Sequence, residues 1–195
     1  MEGLIMHYPL TVSSMLDHGY RVFPQKEIIS ILPDKTRHCY TYTDLYKRSK
    51  MLMHALVNKL GVKKGDIVGT YAWNHYQHME LYYGIPGSGA VCHTINIRLS
   101  QPQTEFIINN AEDRYIFIDA TLVSLVEPIA ALLLTVEAYI IWNAPVGFTS
   151  SMQPVIYYEE RIANAPYNTD WVQVEEDEQA GRCDTGGATG VRKGV

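Results

Sequence analysis

The chain has 195 residues, a formal net charge of −5 and a hydrophobic fraction of 47%, so it can build a sizeable core and is too apolar for a disordered chain. Its acidic balance argues against a nucleic-acid-binding protein, which presents clustered positive charge to phosphates. Cys39, Cys92 and Cys183 are widely spaced and form no CxxC pair, which disfavours a disulfide framework or a zinc site and favours the cytoplasm.

The chain begins with two predicted strands and a helix. Residues 26–32 (KEIISIL) and 37–42 (RHCYTY) are predicted strands, because the turn sequence PDKT separates them. Thr43 is predicted to cap a helix that runs to about Leu60 with apolar residues at helical spacing. Gly61 follows as the expected left-handed stop.

The middle of the chain continues this alternation. Residues 66–73 (DIVGTYAW) and 90–95 (AVCHTI) are predicted buried strands. Asn74 is predicted to cap the helix between them. Ser100, with Pro102 in the first turn, is predicted to open the next helix.

An apolar region, residues 122–142, follows a predicted strand at residues 114–119 (RYIFID). The region is long enough to span a bilayer, but two glutamates and a proline interrupt it. We therefore predict no transmembrane segment, and instead a helix followed by a strand at residues 135–142. The predicted helix carries these apolar residues on one face: Leu122, Leu125, Val126, Ile129, Leu132 and Leu133.

The order of these elements predicts the fold class. Apolar strands that alternate with amphipathic helices are typical of an α/β fold, in which a mostly parallel sheet carries helices on both faces. After Trp142 the pattern weakens, and only residues 157–164 (YYEERIAN) are expected to form one further short helix.

Residues 185–194 (TGGATGVRKG) combine glycine, threonine and lysine. Backbone N–H groups can converge on a phosphate where glycine allows close approach, hydroxyls add donors, and a lysine adds compact positive charge. The segment is not a GxxxxGK[ST] loop, because Gly194 follows Lys193, and it is not a GxGxxG fingerprint that opens a helix. On composition alone, a flexible tail is the alternative.

The same segment resembles the signature loop of the adenylate-forming enzymes, which include acyl-CoA synthetases, luciferases and peptide-synthetase adenylation domains. That loop has the approximate form Y-T-S/T-G-T-T-G-x-P-K-G-V. The matching residues are Thr185, Gly187, Thr189, Gly190, Lys193, Gly194 and Val195. The resemblance covers nearly the whole chain, and residues 73–119 are most similar to medium- and long-chain fatty acid–CoA ligases.

The resemblance implies that residues 1–195 form part of the family's N-terminal domain, end in the phosphate-binding loop and lack the C-terminal domain. It implies a reaction in which a fatty acid carboxylate attacks the α-phosphate of ATP, with Mg²⁺, and the thiol of coenzyme A then displaces AMP. The residues expected to hold the ATP phosphates are Thr185, Gly186, Gly187, Thr189, Gly190 and Lys193. No catalytic residue and no metal ligand is expected within this chain, so the isolated chain is expected to be inactive. A homodimer through this region is also expected.

Two residues of the segment, and Asp184 just before it, depart from the family pattern. Ala188 replaces a hydroxyl, and a lost hydrogen bond to a charged oxygen costs about 1.5–3 kcal/mol. Arg192 replaces a proline or small apolar residue, and Asp184 places negative charge beside the expected phosphates. The alternative function is therefore a non-catalytic remnant or assembly fragment of the same family. A complete Rossmann-type dinucleotide binder is a weaker alternative, because no glycine fingerprint follows an early strand.

His75, His78 and Glu80 lie close together in the sequence. A metal site needs several ligands that converge on one point, and this spacing on a helix supplies at most two. We therefore interpret the two histidines as ordinary helix-face or packing residues.

Overall fold

The computed structural model describes residues 8–185 and 193–195. Within them the strands are β1 (Glu27–Ile31), β2 (Arg37–Thr41), β3 (Ile67–Tyr71), β4 (Val91–Thr94), β5 (Tyr115–Asp119), β6 (Ala138–Trp142), β7 (Val155–Tyr157), β8 (Gly181–Thr185) and β9 (Lys193–Gly194). The α-helices are α1 (Val12–Val22), α2 (Tyr42–Lys59), α3 (Tyr76–Gly87), α4 (Gln101–Ala111), α5 (Val123–Val126) and α6 (Tyr158–Ile162). Two 3-10 segments flank α5, at Ala120–Leu122 and Glu127–Leu132.

A seven-stranded sheet forms the centre of the molecule, in the order β7-β6-β5-β3-β4-β8-β9. The strands from β7 to β8 in this order are parallel to their neighbours, and β9 is antiparallel to β8 at the edge. β1 and β2 form a separate antiparallel hairpin. The predicted α/β fold with a mostly parallel sheet is confirmed.

Helices cover both faces of this sheet. α2, α3 and α6 pack on one face against Val68 and Phe117. α4 and α5 pack on the opposite face against Ile116 and Ile118. Because successive side chains of a strand point to opposite faces, β5 supplies residues to both cores. Burial on both faces explains why the strands have apolar runs instead of alternating polar residues.

Most predicted elements are confirmed, with ends that differ by no more than three residues. Gly61 ends α2 with a φ of +66°, the left-handed conformation that glycine tolerates. Ser100 opens α4 with a capping box in which Gln103 reaches back to the cap.

Two predicted helix caps are wrong. Thr41, not Thr43, caps α2, because its Oγ1 accepts from the Asp44 N–H at 3.3 Å while Asp44 Oδ2 accepts from the Thr41 N–H at 2.8 Å. A capping box needs an acceptor three residues after the cap, and Asp44 stands at that distance from Thr41. α3 begins after His75 instead of Asn74, and no side chain caps it.

The single helix predicted across residues 122–133 is also wrong. α5 is one turn long, and the chain continues as 3-10 segments on both sides. Pro128 cannot donate the backbone hydrogen bond that a continuous helix would need there. Leu125 and Leu132 are accordingly exposed instead of lying on a buried face. Among the described residues, no helix is both long and apolar enough to cross a membrane.

The sequence patterns do not predict α1 or β7. α1 has one large apolar residue that is fully buried, Leu16, and its start is set by Thr11, whose Oγ1 accepts from the Ser14 N–H at 3.2 Å. β7 is three residues long and, of the described strands, pairs only with β6. Both elements depend on contacts with distant parts of the chain, so their local signals are weak.

Candidate functional site

The parallel strands end at one common edge of the sheet, which we call the carboxyl edge. In open α/β sheets, ligands bind in the crevice outside the carboxyl ends of the strands. β8 runs parallel to β4, with Thr94 opposite Cys183. The residues that follow β8 in the chain therefore begin at the carboxyl edge.

β8 and β9 form a hairpin around the glycine-rich segment. Thr185 lies opposite Lys193, and the main chains of Cys183 and Val195 exchange hydrogen bonds of 3.0 and 2.9 Å. Residues 186–192 connect the two strands, so the two ends of the predicted phosphate-binding sequence are brought together at the carboxyl edge. Of the predicted site residues, Gly186, Gly187, Thr189 and Gly190 lie outside the described residues, and only the main chains of Thr185 and Lys193 are described.

A buried histidine holds β8 to the rest of the sheet. His93 Nδ1, on β4, lies 2.8 Å from Asp113 Oδ2, and its Nε2 lies 2.8 Å from Asp184 Oδ2 on β8. All three side chains are almost fully buried. Gly69 on β3 leaves room for this arrangement, because a Cβ there would lie 2.9 Å from Asp113 Oδ2. We call His93, Asp113 and Asp184 the His93 clamp.

The protonation state of the clamp follows from its geometry. Burial lowers the pKa of His93, but the hydrogen bonds and negative charges of Asp113 and Asp184 outweigh burial, and the pKa is raised. Each ring nitrogen faces a carboxylate, which only accepts, so both nitrogens donate and the ring is an imidazolium. Burial also raises the pKa of Asp113 despite the neighbouring ring, so His93 and Asp113 titrate as a coupled pair.

The sequence predicts that Asp184 presents a free negative charge beside the glycine-rich segment. The structure corrects this prediction. Its side chain is 2% exposed and accepts a hydrogen bond from His93. The reason is the parallel pairing of β4 with β8, which places the side chain of Asp184 beside the imidazole.

Asp119 ends β5 at the carboxyl edge and gathers five donors. Its Oδ2 accepts from Trp142 Nε1 at 3.0 Å and Asn143 Nδ2 at 3.1 Å, and lies 3.2 Å from His75 Nε2. Its Oδ1 accepts from the N–H and the hydroxyl of Thr121 at 2.9 and 2.6 Å. Burial opposes ionisation, but these hydrogen bonds prevail and lower the pKa of Asp119 to about 2. Asp119 is thus a buried carboxylate that joins the ends of β5 and β6.

A second buried carboxylate, Glu80, joins three helices. Its Oε1 accepts from Arg48 Nε at 2.7 Å, and its Oε2 accepts from the Tyr158 hydroxyl at 2.6 Å. Arg48 also donates to both carboxylate oxygens of Glu159, at 3.1 and 2.7 Å. Burial raises the pKa of Glu80, and Arg48 and Tyr158 offset only part of that effect. The Glu80 ion pair lies between α2, α3 and α6 and serves their packing.

A cleft of about 720 Å³ opens at the carboxyl end of β6, beside Arg48, Gln77, Phe148 and Glu159. β5, β3 and β4 separate β6 from β8 in the sheet. The cleft and the glycine-rich segment are therefore two distinct places on the carboxyl edge.

The side chains of His75, His78 and Glu80 reach three different partners, which agrees with a packing role for the two histidines. His75 lies against Asp119, His78 Nε2 lies 3.0 Å from Thr70 Oγ1, and Glu80 binds Arg48. Within residues 8–185 and 193–195, no three His, Cys, Asp or Glu side chains are placed to hold a metal ion.

The sequence analysis does not single out His93, Asp113 or Asp119. The available signal is a polar residue inside or at the end of an otherwise apolar strand, as in AVCHTI (90–95) and RYIFID (114–119). Such a residue must find a hydrogen-bond partner when it is buried. The signal indicates that a partner exists but not which residue it is.

The same fold occurs in a solved structure, the anthranilate CoA ligase AuaEII in complex with anthranoyl-AMP. The two superimpose with a TM-score of 0.82 over 100% of this chain and 36% of that chain, at 19% sequence identity. A likeness at this identity shows the fold alone.

The family model of the AMP-binding enzymes matches residues 16–195. The chain belongs to the AMP-binding enzyme family. The predicted membership of the adenylate-forming enzymes, based on residues 185–195 and 73–119, is thereby confirmed.

Several curated members of the AMP-binding enzyme family are similar along the whole chain. A 3-methylmercaptopropionyl-CoA ligase from Ruegeria lacuscaerulensis is 36% identical and a medium-chain-fatty-acid–CoA ligase from Ectopseudomonas oleovorans is 35% identical, each over 100% of this chain and 36% of its own length. A long-chain-fatty-acid–CoA ligase from Thermus thermophilus is 37% identical over 98% of this chain and 34% of its own length. The chain thus spans about a third of the length of these relatives.

Proposed function

We propose that this chain supplies the phosphate-binding part of an ATP-dependent ligase that joins a fatty acid to coenzyme A. The observation that carries the proposal is the β8–β9 hairpin. It brings the main chains of Thr185 and Lys193 together at the carboxyl edge, on either side of the glycine-rich segment. This is the edge at which open α/β sheets bind their ligands.

In this proposal the segment holds the β- and γ-phosphates of ATP. Backbone N–H groups of Gly186, Gly187 and Gly190 and the hydroxyls of Thr185 and Thr189 donate to phosphate oxygens. The Lys193 ammonium neutralises the charge that grows on the pyrophosphate as it leaves. ATP supplies the activated phosphate that converts the carboxylate into an acyl-adenylate. We propose coenzyme A and Mg²⁺ on the basis of the family resemblance.

A fatty acid is the substrate class that we propose, supported by the medium-chain and long-chain relatives. The relative named for 3-methylmercaptopropionyl-CoA indicates that a short sulfur-containing acid is the main competitor. We propose the cytoplasm as the compartment, because the widely spaced cysteines are typical of a reducing environment. A homodimer through this region belongs to the same proposal, and sedimentation velocity at several concentrations tests it.

Replacing Lys193 with alanine is expected to weaken the binding of inorganic pyrophosphate and ATP about tenfold to a hundredfold, because one charge-assisted hydrogen bond is lost. Isothermal titration calorimetry measures the affinity. Lys63→Ala is the matched control, since Lys63 is exposed and precedes β3, at the opposite edge of the sheet. Equal losses in both variants would refute a specific role for Lys193.

If the unmodified chain binds neither pyrophosphate nor ATP, the alternative of a non-catalytic remnant or assembly fragment is favoured. Ala188 and Arg192 support this alternative, because each removes a feature of the family loop.

The isolated chain is expected to form no decanoyl-CoA from ATP, Mg²⁺, coenzyme A and decanoate. The reason is that the family resemblance places the catalytic residues outside residues 1–195. A coupled assay for AMP or a direct chromatographic assay for decanoyl-CoA measures this. Turnover that exceeds the Lys193→Ala variant would contradict the expectation.

A further inference from the structure

We propose that the His93 clamp is a protonation-dependent anchor, in which the imidazolium of His93 holds Asp184 and so positions the start of the glycine-rich segment. His93 and Asp184 are positioning residues in this inference, and neither contacts the phosphates. The link to phosphate binding rests on the function proposed above, whereas the anchoring of β8 can be tested independently of it.

The clamp needs both protons of the ring. Nδ1 faces Asp113, at 2.9 and 2.8 Å from its two carboxylate oxygens, and Nε2 faces Asp184 Oδ2 at 2.8 Å. A neutral imidazole has one donor and one acceptor, so it can serve only one of the two carboxylates. Loss of one proton leaves a nitrogen lone pair facing a carboxylate oxygen at hydrogen-bond distance.

Asp184 is the partner that a neutral ring releases. Asp113 is held more firmly, because both of its oxygens approach Nδ1 and its main-chain carbonyl accepts from Thr135 Oγ1 at 2.9 Å. Asp184 offers one oxygen to the ring, and its buried Oδ1 has no hydrogen-bond partner among the residues that the structure describes. The release therefore acts on β8, which lies next to the antiparallel edge strand of the sheet.

The other charged group near the released carboxylate is Arg182, also on β8. Its Nε lies 3.9 Å from Asp184 Oδ2, is buried and has no hydrogen-bond partner in the described part of the chain. The charged groups that face the His93 ring thus come from β8 and from the turn before β5. β3 contributes Gly69, and the Thr70 hydroxyl donates to the main-chain carbonyl of His93. At this distance Arg182 does not donate a hydrogen bond to Asp184, so it does not replace the imidazolium as a donor.

The sign of the pH dependence follows from the raised pKa of His93. A histidine whose folded pKa lies above its unfolded value of about 6.5 contributes its full stabilisation below that value. The stabilisation is lost as the pH rises through the folded pKa. The anchor is therefore closed below the raised pKa of His93 and opens above it, where Asp184 loses its imidazolium partner next to the phosphate-binding segment.

Hydrogen exchange followed by NMR tests the anchor in the full chain. The Cys92 amide donates to the Ala180 carbonyl at the β4–β8 junction, and the amides of Cys183 and Val195 bond across the hairpin. The protection factor of Cys92 reports on the attachment of β8, and those of Cys183 and Val195 report on the hairpin that β8 carries. We expect these factors, corrected for the intrinsic exchange rate, to fall about tenfold or more between about pH 6 and about pH 9, as one charge-assisted hydrogen bond is lost. The amides of β5 serve as the internal reference for global stability.

Asp184→Asn is the decisive variant, because its amide can accept from a protonated ring and donate to a neutral one. We expect its protection factors to be nearly independent of pH. Asp177→Asn, an equal change of charge in an exposed turn, is expected to behave as the unmodified chain does. A flat profile in the unmodified chain, or the same alkaline fall in Asp184→Asn, overturns the anchor.

Pyrophosphate titrations over the same pH range separate this inference from the proposed function. The ratio of affinities between Asp184→Asn and the unmodified chain cancels the ionisation of pyrophosphate itself, and we expect it to rise about tenfold toward alkaline pH. A constant ratio refutes the link between anchor and phosphate. If the unmodified chain binds no pyrophosphate at any pH, the proposed function fails, and the exchange profiles alone decide whether the anchor exists.

Discussion

Replacing Arg48 with methionine is expected to lower the free energy of unfolding by about 3–5 kcal/mol, because it leaves a buried carboxylate without its cation. Glu80 has a fully buried side chain, and the Tyr158 hydroxyl would be its one remaining partner among those seen in the structure. Urea denaturation followed by tryptophan fluorescence measures the change. Arg21→Met, at an exposed position of α1, is the matched control and is expected to change stability by less than about 0.5 kcal/mol.

The double variant Arg48→Met with Glu80→Leu separates the ion pair from simple loss of packing. Apolar replacement of both partners of a buried pair is often neutral, so we expect the double variant to be more stable than Arg48→Met alone. A double variant that is less stable than either single variant would show that the pair contributes net stability.

The loss in Arg48→Met is also expected to shrink in acid. Burial raises the pKa of Glu80 even in the presence of Arg48, and removal of the guanidinium raises that pKa further. A carboxyl group whose folded pKa exceeds its unfolded value destabilises the fold where it is ionised. As the pH falls below that raised pKa, Glu80 takes up a proton and the penalty decreases. A penalty that is constant between about pH 5 and about pH 8 would contradict this account.

The second large effect is expected for Asp119→Asn, which should cost about 2–4 kcal/mol, since hydrogen bonds to a charged acceptor contribute about 1.5–3 kcal/mol each. Asparagine keeps one acceptor oxygen, but its NH₂ group takes the place of the other. In one orientation of the amide this NH₂ group faces the Thr121 N–H, and in the other it faces the N–H groups of Trp142 and Asn143. Thermal and urea unfolding measure the loss. Asp170→Asn, at an exposed position, is the control for the change in charge.

The pH dependence gives a separate test of the same residue. The pKa of Asp119 is lowered to about 2, whereas an unperturbed aspartate titrates near pH 3.9. A carboxylate with a lowered pKa stabilises the fold above its unfolded pKa and loses that contribution as the pH falls through its folded pKa. We therefore expect about 2 kcal/mol of stability to disappear between about pH 4 and about pH 2 in the unmodified chain, and this acid-sensitive part to be missing in Asp119→Asn. Identical acid profiles for the two chains would refute the ionised form of Asp119.

The alternation of apolar strands with amphipathic helices was sufficient to predict the sheet and its two covered faces. The reason is that a strand buried on both faces has a continuous run of apolar residues. β5 and α4 show this well, since RYIFID (114–119) has no exposed position to fill and Ser100 satisfies the first turn of its helix with a local capping box. The predictions failed where the local sequence was compatible with more than one structure. Thr41 and Thr43 are both acceptable caps by type, and the carboxylate of Asp44 decided between them. Pro128 divided an apolar face that otherwise has helical spacing.

The sequence by itself determined the chemistry of the glycine-rich segment, because glycines, hydroxyls and a lysine keep their capacity to bind phosphate wherever the fold places them. Only the tertiary structure decided what holds that segment in place. His93 meets Asp113 across 20 positions of sequence and Asp184 across 91, and nothing in the residues between them records either contact. The order of β3, β4 and β8 in the parallel sheet brings the three together, since strand order depends on how the helical crossovers pack and not on local pattern. For the same reason, the sequence suggested an exposed charge at Asp184, and the fold turned it into a buried partner of an imidazolium.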